Sequence, residues 1–439
     1  MTKNKAVVIG AGLAGCEAAW QLSRFGIDVK LFEQKPLHFS PAHSSEKFAE
    51  LVCSNSLRAE GLANAVGLLK QEMRELSSLI MQAADATSVP AGGALAVDRH
   101  RFSDHITGAV RSNKHIEIVT EQISAVPDDE TVIVAAGPLV SDELAKDIAR
   151  ITGGMLSFYD AAAPIVTAES IDMEKAFWAS RYGRGSDYLN CAMDERQYIQ
   201  FHEALINAET AHVHGFEDEK VFEGCMPVET MAKRGFKTLA FGPLKPVGIT
   251  TPDGKKPYAV VQLRREDAEG RLFNLVGFQT HLKFGEQKRV FSMIPGLENA
   301  EFARYGVMHR NTYIKSPRLL NEYYEMKSRP GLYFAGQITG VEGYVESASS
   351  GLLAGLFAAC DILGKQKPSF SRNTACGALA QYVSGYIGED FQPMNITFGI
   401  MNTIETRAKR RDRKLAVSDR AIEEIRRIRE ELLSAVQMH

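Results

Sequence analysis

The feature that most constrains this chain is a glycine-rich turn, Gly10-Ala-Gly-Leu-Ala-Gly15, set between an apolar strand and a helix. Lys5-Ala-Val-Val-Ile9 before it is the short apolar run of a strand buried on both faces. Cys16 to Arg24 continues the helix, and Gly26 ends it. Asp28-Val-Lys-Leu-Phe32 then reads as a second strand, with Glu33 at its end. Such a βαβ unit is built to hold a dinucleotide. Gly10 makes the tight turn, Gly12 lets the backbone approach a pyrophosphate, and Gly15 lets the helix pack on the strand. Ala11, Leu13 and Ala14 complete the loop, and the helix N-terminus meets the diphosphate with N–H groups and a positive dipole end. Glu33 accepts hydrogen bonds from ribose hydroxyls and disfavours a 2′-phosphate, which argues against NADP here.

Two later segments repeat the strand-then-glycine pattern. Thr131-Val-Ile-Val-Ala-Ala-Gly137-Pro138 is one, and Gly331-Leu-Tyr-Phe-Ala-Gly336-Gln337 is the other. After the second come Gly340-Val-Glu-Gly343-Tyr-Val-Glu and an apolar helix, Leu352 to Leu363. The order of the three segments resembles the flavoproteins of the glutathione-reductase-like superfamily. That resemblance implies an α/β, Rossmann-like FAD-binding domain. Gly336 and Gln337, with Glu342, Gly343 and Tyr344, then approach the ribityl chain and flavin. Asn311 and Tyr313 are further candidates for the flavin pocket.

At 439 residues the chain exceeds what one hydrophobic core usually holds. The region from about Asp194 to Gly306 breaks the βα alternation. It carries a helical stretch from Glu195 to Ala208 and strand-like runs Tyr258–Leu263 and Leu272–Val276. Pro252-Asp-Gly254 and Glu269-Gly270 are turn signals between them. The expected organisation is a discontinuous FAD-binding domain, 1–193 and 307–439, with an inserted α+β domain at 194–306. Near the end, Ser418-Asp419 reads as an N-cap for a helix with Ile422, Ile425, Ile428, Leu432 and Val436 in one stripe. The basic run Arg407 to Lys414 just before it is either a solvated face or a phosphate-contacting patch.

The formal net charge of −3 excludes a chain that is basic throughout, so any RNA contact requires a local patch. No apolar run approaches the roughly 20 residues that span a bilayer, and the first strand begins too early for a signal peptide. Six scattered cysteines without a CxxC suit reduced thiols in a cytoplasmic protein rather than a disulfide scaffold. No metal-ligand spacing stands out, so no metal is expected.

Cys53 lies in Glu50-Leu-Val-Cys-Ser-Asn-Ser-Leu-Arg58, and Cys225 in Phe222-Glu-Gly-Cys-Met-Pro-Val-Glu-Thr-Met-Ala-Lys233-Arg234-Gly235. Each is either a small buried hydrophobe or a reactive thiol; the nearby cations favour a thiolate. Cys16, Cys191, Cys360 and Cys376 read as structural. These two segments, the opening GAGLAG, Phe278-Gln-Thr-His281, His309-Arg-Asn-Thr-Tyr313 and Gly336-Gln-Ile-Thr-Gly340 together resemble the folate- and FAD-dependent tRNA (uracil-5-)-methyltransferases. The likeness runs to about Gly399 and is weakest from Met401 to His439. A more distant likeness is to the FAD enzymes that build carboxymethylaminomethyl groups on wobble uridines, which share the flavin segments.

The resemblance implies transfer of one carbon from 5,10-methylenetetrahydrofolate to C5 of uridine 54 in the tRNA T-loop. FADH2 would supply electrons and NAD(P)H would reload the flavin. Cys225 would be the nucleophile at uracil C6, and Cys53 the partner thiol, as base or as resting-state adduct; the roles are open to reversal. His281 either faces the folate pteridine or flavin, or is a satisfied structural histidine. The alternative is a flavin oxidoreductase acting on a small metabolite. The isolated thiols already disfavour a CxxC disulfide reductase.

Overall fold

The computed structural model describes residues 4–128, 130–183, 185–211, 226–388, 391–404 and 409–437. A five-stranded parallel sheet runs in the order Leu332–Phe334, Thr131–Val134, Lys5–Ile9, Asp28–Glu33, Ile116–Thr120. Ala6 to Ile9 are all buried, because both faces of the central strand are covered. The three glycine-terminated segments read from the sequence are therefore neighbours in one sheet, with their turns at the same edge. The α/β Rossmann-like class is what forms.

Helix Leu13–Arg24 packs along helix Tyr344–Ile362. The crossing depends on glycine. A Cβ at Gly351 would lie 2.2 Å from the Ala14 carbonyl oxygen, and one at Gly355 would lie 2.7 Å from that of Ala18. The longer helix also corrects the expectation that no apolar run reaches membrane-spanning length. It has 19 residues and a mean hydropathy of 1.2, yet 83% of that stretch is buried inside the protein. Its apolar character serves the core between the two helices, which includes Leu22, Leu352, Leu356 and Phe357.

A second core lies on an antiparallel sheet of six strands, in the order Ala176–Ala179, Tyr188–Met193, Ala259–Arg265, Leu272–Leu275, Ile165–Thr167, Phe302–Arg304. Phe201, Phe278 and Phe291 fill it. Helix Glu195–Ile206 starts where the sequence placed it, and Asp194 and Gln197 close a capping box there. Three of the six strands lie upstream of residue 194, within the stretch 1–193 that the sequence assigned to the FAD-binding domain. Their partners lie far along the chain; Cys191, for example, pairs with Val261. A ribbon of Leu156–Ala161 against Met308–Tyr313 joins the two units.

The C-terminal helix begins at Arg410, earlier than the Ser418-Asp419 cap expected from sequence. Arginine and lysine are good helix formers, so the described part of the basic run, 409–414, largely extends the helix instead of preceding it. Ser418 is buried and donates to the Leu62 carbonyl at 2.8 Å. Ile422, Ile425, Ile428 and Leu432 are buried as the stripe required. Arg426 and Arg429 reach Glu75 at 2.9 and 2.7 Å and fasten the helix to Ala65–Glu75.

Candidate functional site

A cleft of about 1150 Å³, part of it open to solvent, lies along the edge where the parallel strands end. Gly10 to Ala14, Glu33, Gly336, Gln337 and Tyr344 all line it. Gly15 does not; a Cβ there would lie 1.7 Å from the Gly10 carbonyl oxygen, so its role is the close packing expected of it. Gly10 has φ +100° and no room for a Cβ, which would meet Ala135 O at 2.6 Å. At Gly12 the space around a Cβ is open for 4 Å, and Gly12 offers the helix no side-chain cap. The first-turn N–H groups therefore face the cleft where a diphosphate fits.

The Glu33 carboxylate shapes the loop as well as facing the cleft. One oxygen accepts from the Ala11 N–H and the other from the Lys35 N–H, both at 2.9 Å. Each oxygen keeps capacity for a ribose hydroxyl. Gln337 donates to Glu342 at 2.7 Å, so Glu342 orients a cleft residue from behind. Gly343, at φ +106°, sits where a Cβ would press on Glu346 at 2.6 Å. Asn311 and Tyr313 lie in the joining ribbon, outside the cleft lining. Residues present in the cleft thus fit an FAD, from diphosphate to the Gly336–Tyr344 end.

Tyr344 links this cleft to Cys53. Its hydroxyl accepts the Cys53 N–H at 2.7 Å. Burial pushes the Tyr344 phenol far above its ordinary pKa, and a charge on Cys53 would push it further, so it is a neutral phenol at working pH. On the other side of the residue, Arg99 and Arg304 donate to the Cys53 carbonyl at 3.2 and 2.7 Å. Arg99 also pairs with Glu266 at 2.7 Å. Burial opposes the Arg99 charge, but Glu266 together with Tyr344 and Cys53 more than offsets it; burial lowers Arg264 and Arg304. Arg264 holds Ser54 Oγ at 2.7 Å and Asn55 Oδ1 at 2.9 Å. The Cys53 sulfur lies 3.9 Å from the Ala161 carbonyl, half-buried between the two units. Arg58, read from sequence as a cation near this thiol, pairs instead with buried Glu346.

His281 is buried, with Nδ1 2.6 Å from Glu229 Oε1. The same carboxylate accepts from the His281 N–H at 2.9 Å and from the Thr280 hydroxyl at 2.8 Å. Thr280 N–H reaches the Ala162 carbonyl at 3.3 Å, one residue from the Ala161 that Cys53 touches. Cys225 lies outside the described residues. The chain resumes at Met226, and Val228 N–H donates to the Gln279 carbonyl at 2.7 Å, beside Thr280. Burial raises the thiol pKa of Cys16 and Cys376 strongly, of Cys191 to about 12 and of Cys360 to about 11, as suits structural cysteines.

The parallel sheet, its glycine turn and the cleft that runs from Glu33 to Tyr344 define a flavoprotein of the Rossmann type. The chain belongs to the family described as glucose inhibited division protein A, whose model matches residues 5–366, and within it to the methylenetetrahydrofolate–tRNA-(uracil-5-)-methyltransferases. It is 61% identical over 419 residues to the enzyme of that name, TrmFO, from Acetivibrio thermocellus, covering 94% of this chain and 96% of the relative. It is 56% identical to TrmFO of Listeria monocytogenes serotype 4b, over 97% of this chain and 99% of that one. Among solved structures, Aquifex aeolicus GidA superposes with a TM-score of 0.71 at 17% identity, covering 98% of this chain and 73% of the other. That last likeness speaks for the fold.

Proposed function

We propose that this chain is a folate-dependent methyltransferase acting on C5 of a uridine in tRNA. The carbon comes from 5,10-methylenetetrahydrofolate and the reducing equivalents from FADH2, which NAD(P)H reloads. Near-full-length identity to enzymes of that name supports the activity. The structural observation that carries the chemistry is the fixing of Cys53 between the flavin cleft, through Tyr344, and the antiparallel unit, through Arg304 and through Arg99, which pairs with Glu266 of that unit.

Uracil C5 needs activation before it can attack a carbon donor. A cysteine thiolate adds to C6, forming an S–C6 bond and leaving electron density on C5. C5 attacks the methylene carbon as its bond to folate N10 breaks, and a base removes the C5 proton. Tetrahydrofolate departs through cleavage of the bond to N5, and, once the exocyclic methylene has been reduced, expulsion of the thiolate restores the ring. We assign the addition to Cys225 and the partner role to Cys53. Support for Cys225 is the chain path: Met226 and Val228, just after it, run beside Gln279–His281, close to the strand Cys53 touches. When bound and reduced, the flavin would supply, as FADH2, the electron pair that converts methylene into methyl. Gly10, Gly12 and the first turn of helix Leu13–Arg24 would hold its diphosphate, Glu33 its ribose, and Gly336, Gln337 and Tyr344, which line the same cleft, its flavin end. His281, buried and held by Glu229, remains the candidate for the folate side. Buried Tyr344 keeps its proton and fixes the Cys53 backbone.

We further take the target to be uridine 54 of the T-loop and the setting to be the cytoplasm, where tRNA, folate and NAD(P)H meet. Purified protein with labelled methylenetetrahydrofolate, NAD(P)H and unmodified tRNA gives labelled 5-methyluridine at position 54. Consumption of NAD(P)H with another acceptor and no label in RNA would favour a metabolite oxidoreductase. Cys225→Ala abolishes transfer while the protein keeps its flavin absorbance; full activity in that variant would remove the nucleophile assignment.

A further inference from the structure

We propose that the exposed basic face carried by residues 233–256 of the antiparallel unit, together with Phe241, is the surface on which tRNA docks to bring its uridine to Cys53. This rests on the tRNA-methylation reading above. From Met226 to Tyr258 the chain has Lys233, Arg234, Lys237, Lys245, Lys255 and Lys256 against two carboxylates, Glu229 and Asp253. Glu229 is buried and committed to Thr280 and His281. Asp253 pairs with Lys255 at 2.7 Å. Among the described residues, no carboxylate lies within ion-pair distance of Lys233, Lys237, Lys245 or Lys256. In a chain of net charge −3, this excess of cations is the kind of local patch that RNA binding requires.

A cationic face alone is most often a solvated surface. This one also leaves apolar area in water. Phe241 is 78% exposed, Tyr182 60% and Val247 52%. Exposed rings among cations suit unpaired bases, which stack on aromatic side chains for roughly 1–3 kcal/mol each. A folded RNA loop supplies such bases next to phosphates.

The face is also tied to Cys53 through strand Ala259–Arg265 and the hydrogen bonds its side chains make. Arg264 holds Ser54, next to Cys53. Gln262, two residues along the same strand and so on the same side of the sheet, accepts from Arg181 at 3.1 Å. Arg181 donates in turn to the carbonyls of Lys245 and Val247. Tyr182 N–H reaches the Gly248 carbonyl at 2.9 Å, which sets the exposed ring against this loop. At the other end, helix Val228–Lys233 spans only about 9 Å at 1.5 Å per residue, from the Gln279 pairing to the first lysine. Among the described residues, the basic start of the C-terminal helix shows no such tie; Lys414 lies over the Phe398 ring at 5.5 Å.

The test uses full-length, FAD-loaded protein and an unmodified tRNA transcript, with binding read by fluorescence anisotropy across a salt series. A triple variant, Lys233→Glu with Lys237→Glu and Lys245→Glu, should bind at least about tenfold more weakly and lose about two to three units of the log–log salt slope. Phe241→Ala should weaken binding severalfold with the slope unchanged. Flavin content and thermal midpoint serve as fold controls, and the single Phe241 variant keeps the test decisive if the triple variant misfolds. Unchanged affinity in both variants, with wild type binding and methylating tRNA, would overturn the docking surface alone. Loss of binding in Arg411→Glu with Arg413→Glu instead would also overturn it. A wild type that bound no tRNA would overturn the methyltransferase reading along with it.

Discussion

Cys53 owes its position to hydrogen bonds on both sides of its own backbone. Tyr344 takes its N–H, while Arg99 and Arg304 hold its carbonyl. A hydrogen bond from a charged donor is worth roughly 1.5–3 kcal/mol, enough to set where a sulfur rests. Arg304→Ala removes the shorter of the two carbonyl contacts. The expected result is a fall in methyl transfer of about tenfold or more with flavin content unchanged, measured by label incorporation alongside flavin absorbance. Transfer at the wild-type rate would mean the clamp is only structural. The sequence offered Cys53 as a candidate from its loop-like surroundings and its family motif. It offered no sign of Arg99 or Arg304, which stand 46 and 251 residues away. Two arginines among many carry no local pattern, and only the juxtaposition of two units makes them neighbours.

At the scale of elements, the cleft depends on how closely helices Leu13–Arg24 and Tyr344–Ile362 cross. Gly351 leaves no room for a side chain against Ala14, and Ala14 itself lines the cleft. Gly351→Val must push the helices apart, an overpacking cost of about 1–3 kcal/mol or more. The expected outcome is a thermal midpoint lowered by several degrees and partial loss of FAD during purification, followed by calorimetry and the flavin-to-protein absorbance ratio. A variant with unaltered midpoint and full flavin would show that the crossing can relax. The glycine turn of the opening βαβ unit was legible because strand, turn and helix are contiguous. Helix Tyr344–Ile362 was legible as an apolar helix, but not as the partner of the first one.

Across the whole molecule, helix Ala65–Glu75 gathers distant parts. Arg426 and Arg429 tie the C-terminal helix to Glu75. Glu72, fully buried, accepts from the N–H groups of Ala375 and Cys376 at 2.7 and 2.8 Å and so caps helix Ala375–Gly385. Burial pushes the Glu72 carboxyl up from 4.5 to about 7 despite those donors. The folded state therefore binds this proton more tightly than the unfolded chain does. Glu72's contribution to stability should decline as pH rises from 4.5 toward about 7, and level off above. Thermal midpoints from pH 5 to 8 should fall more steeply in the wild type than in Glu72→Gln, which does not titrate. Parallel profiles would show that Glu72 does not set the slope.

By itself, the sequence determined the elements whose information is local. These were the dinucleotide-binding turn with Glu33, the other two sheet segments and the capped helix after Asp194; its motifs also carried the family. Contiguity and periodicity are enough for these, because the residues that define each element also make its hydrogen bonds. Only the tertiary structure decided that three strands before residue 194 join the antiparallel sheet. It alone decided that Glu342 supports Gln337 from behind the cleft, and that arginines from both units fix Cys53. Those are long-range pairings, chosen by which buried polar groups and apolar faces satisfy one another after the chain has folded.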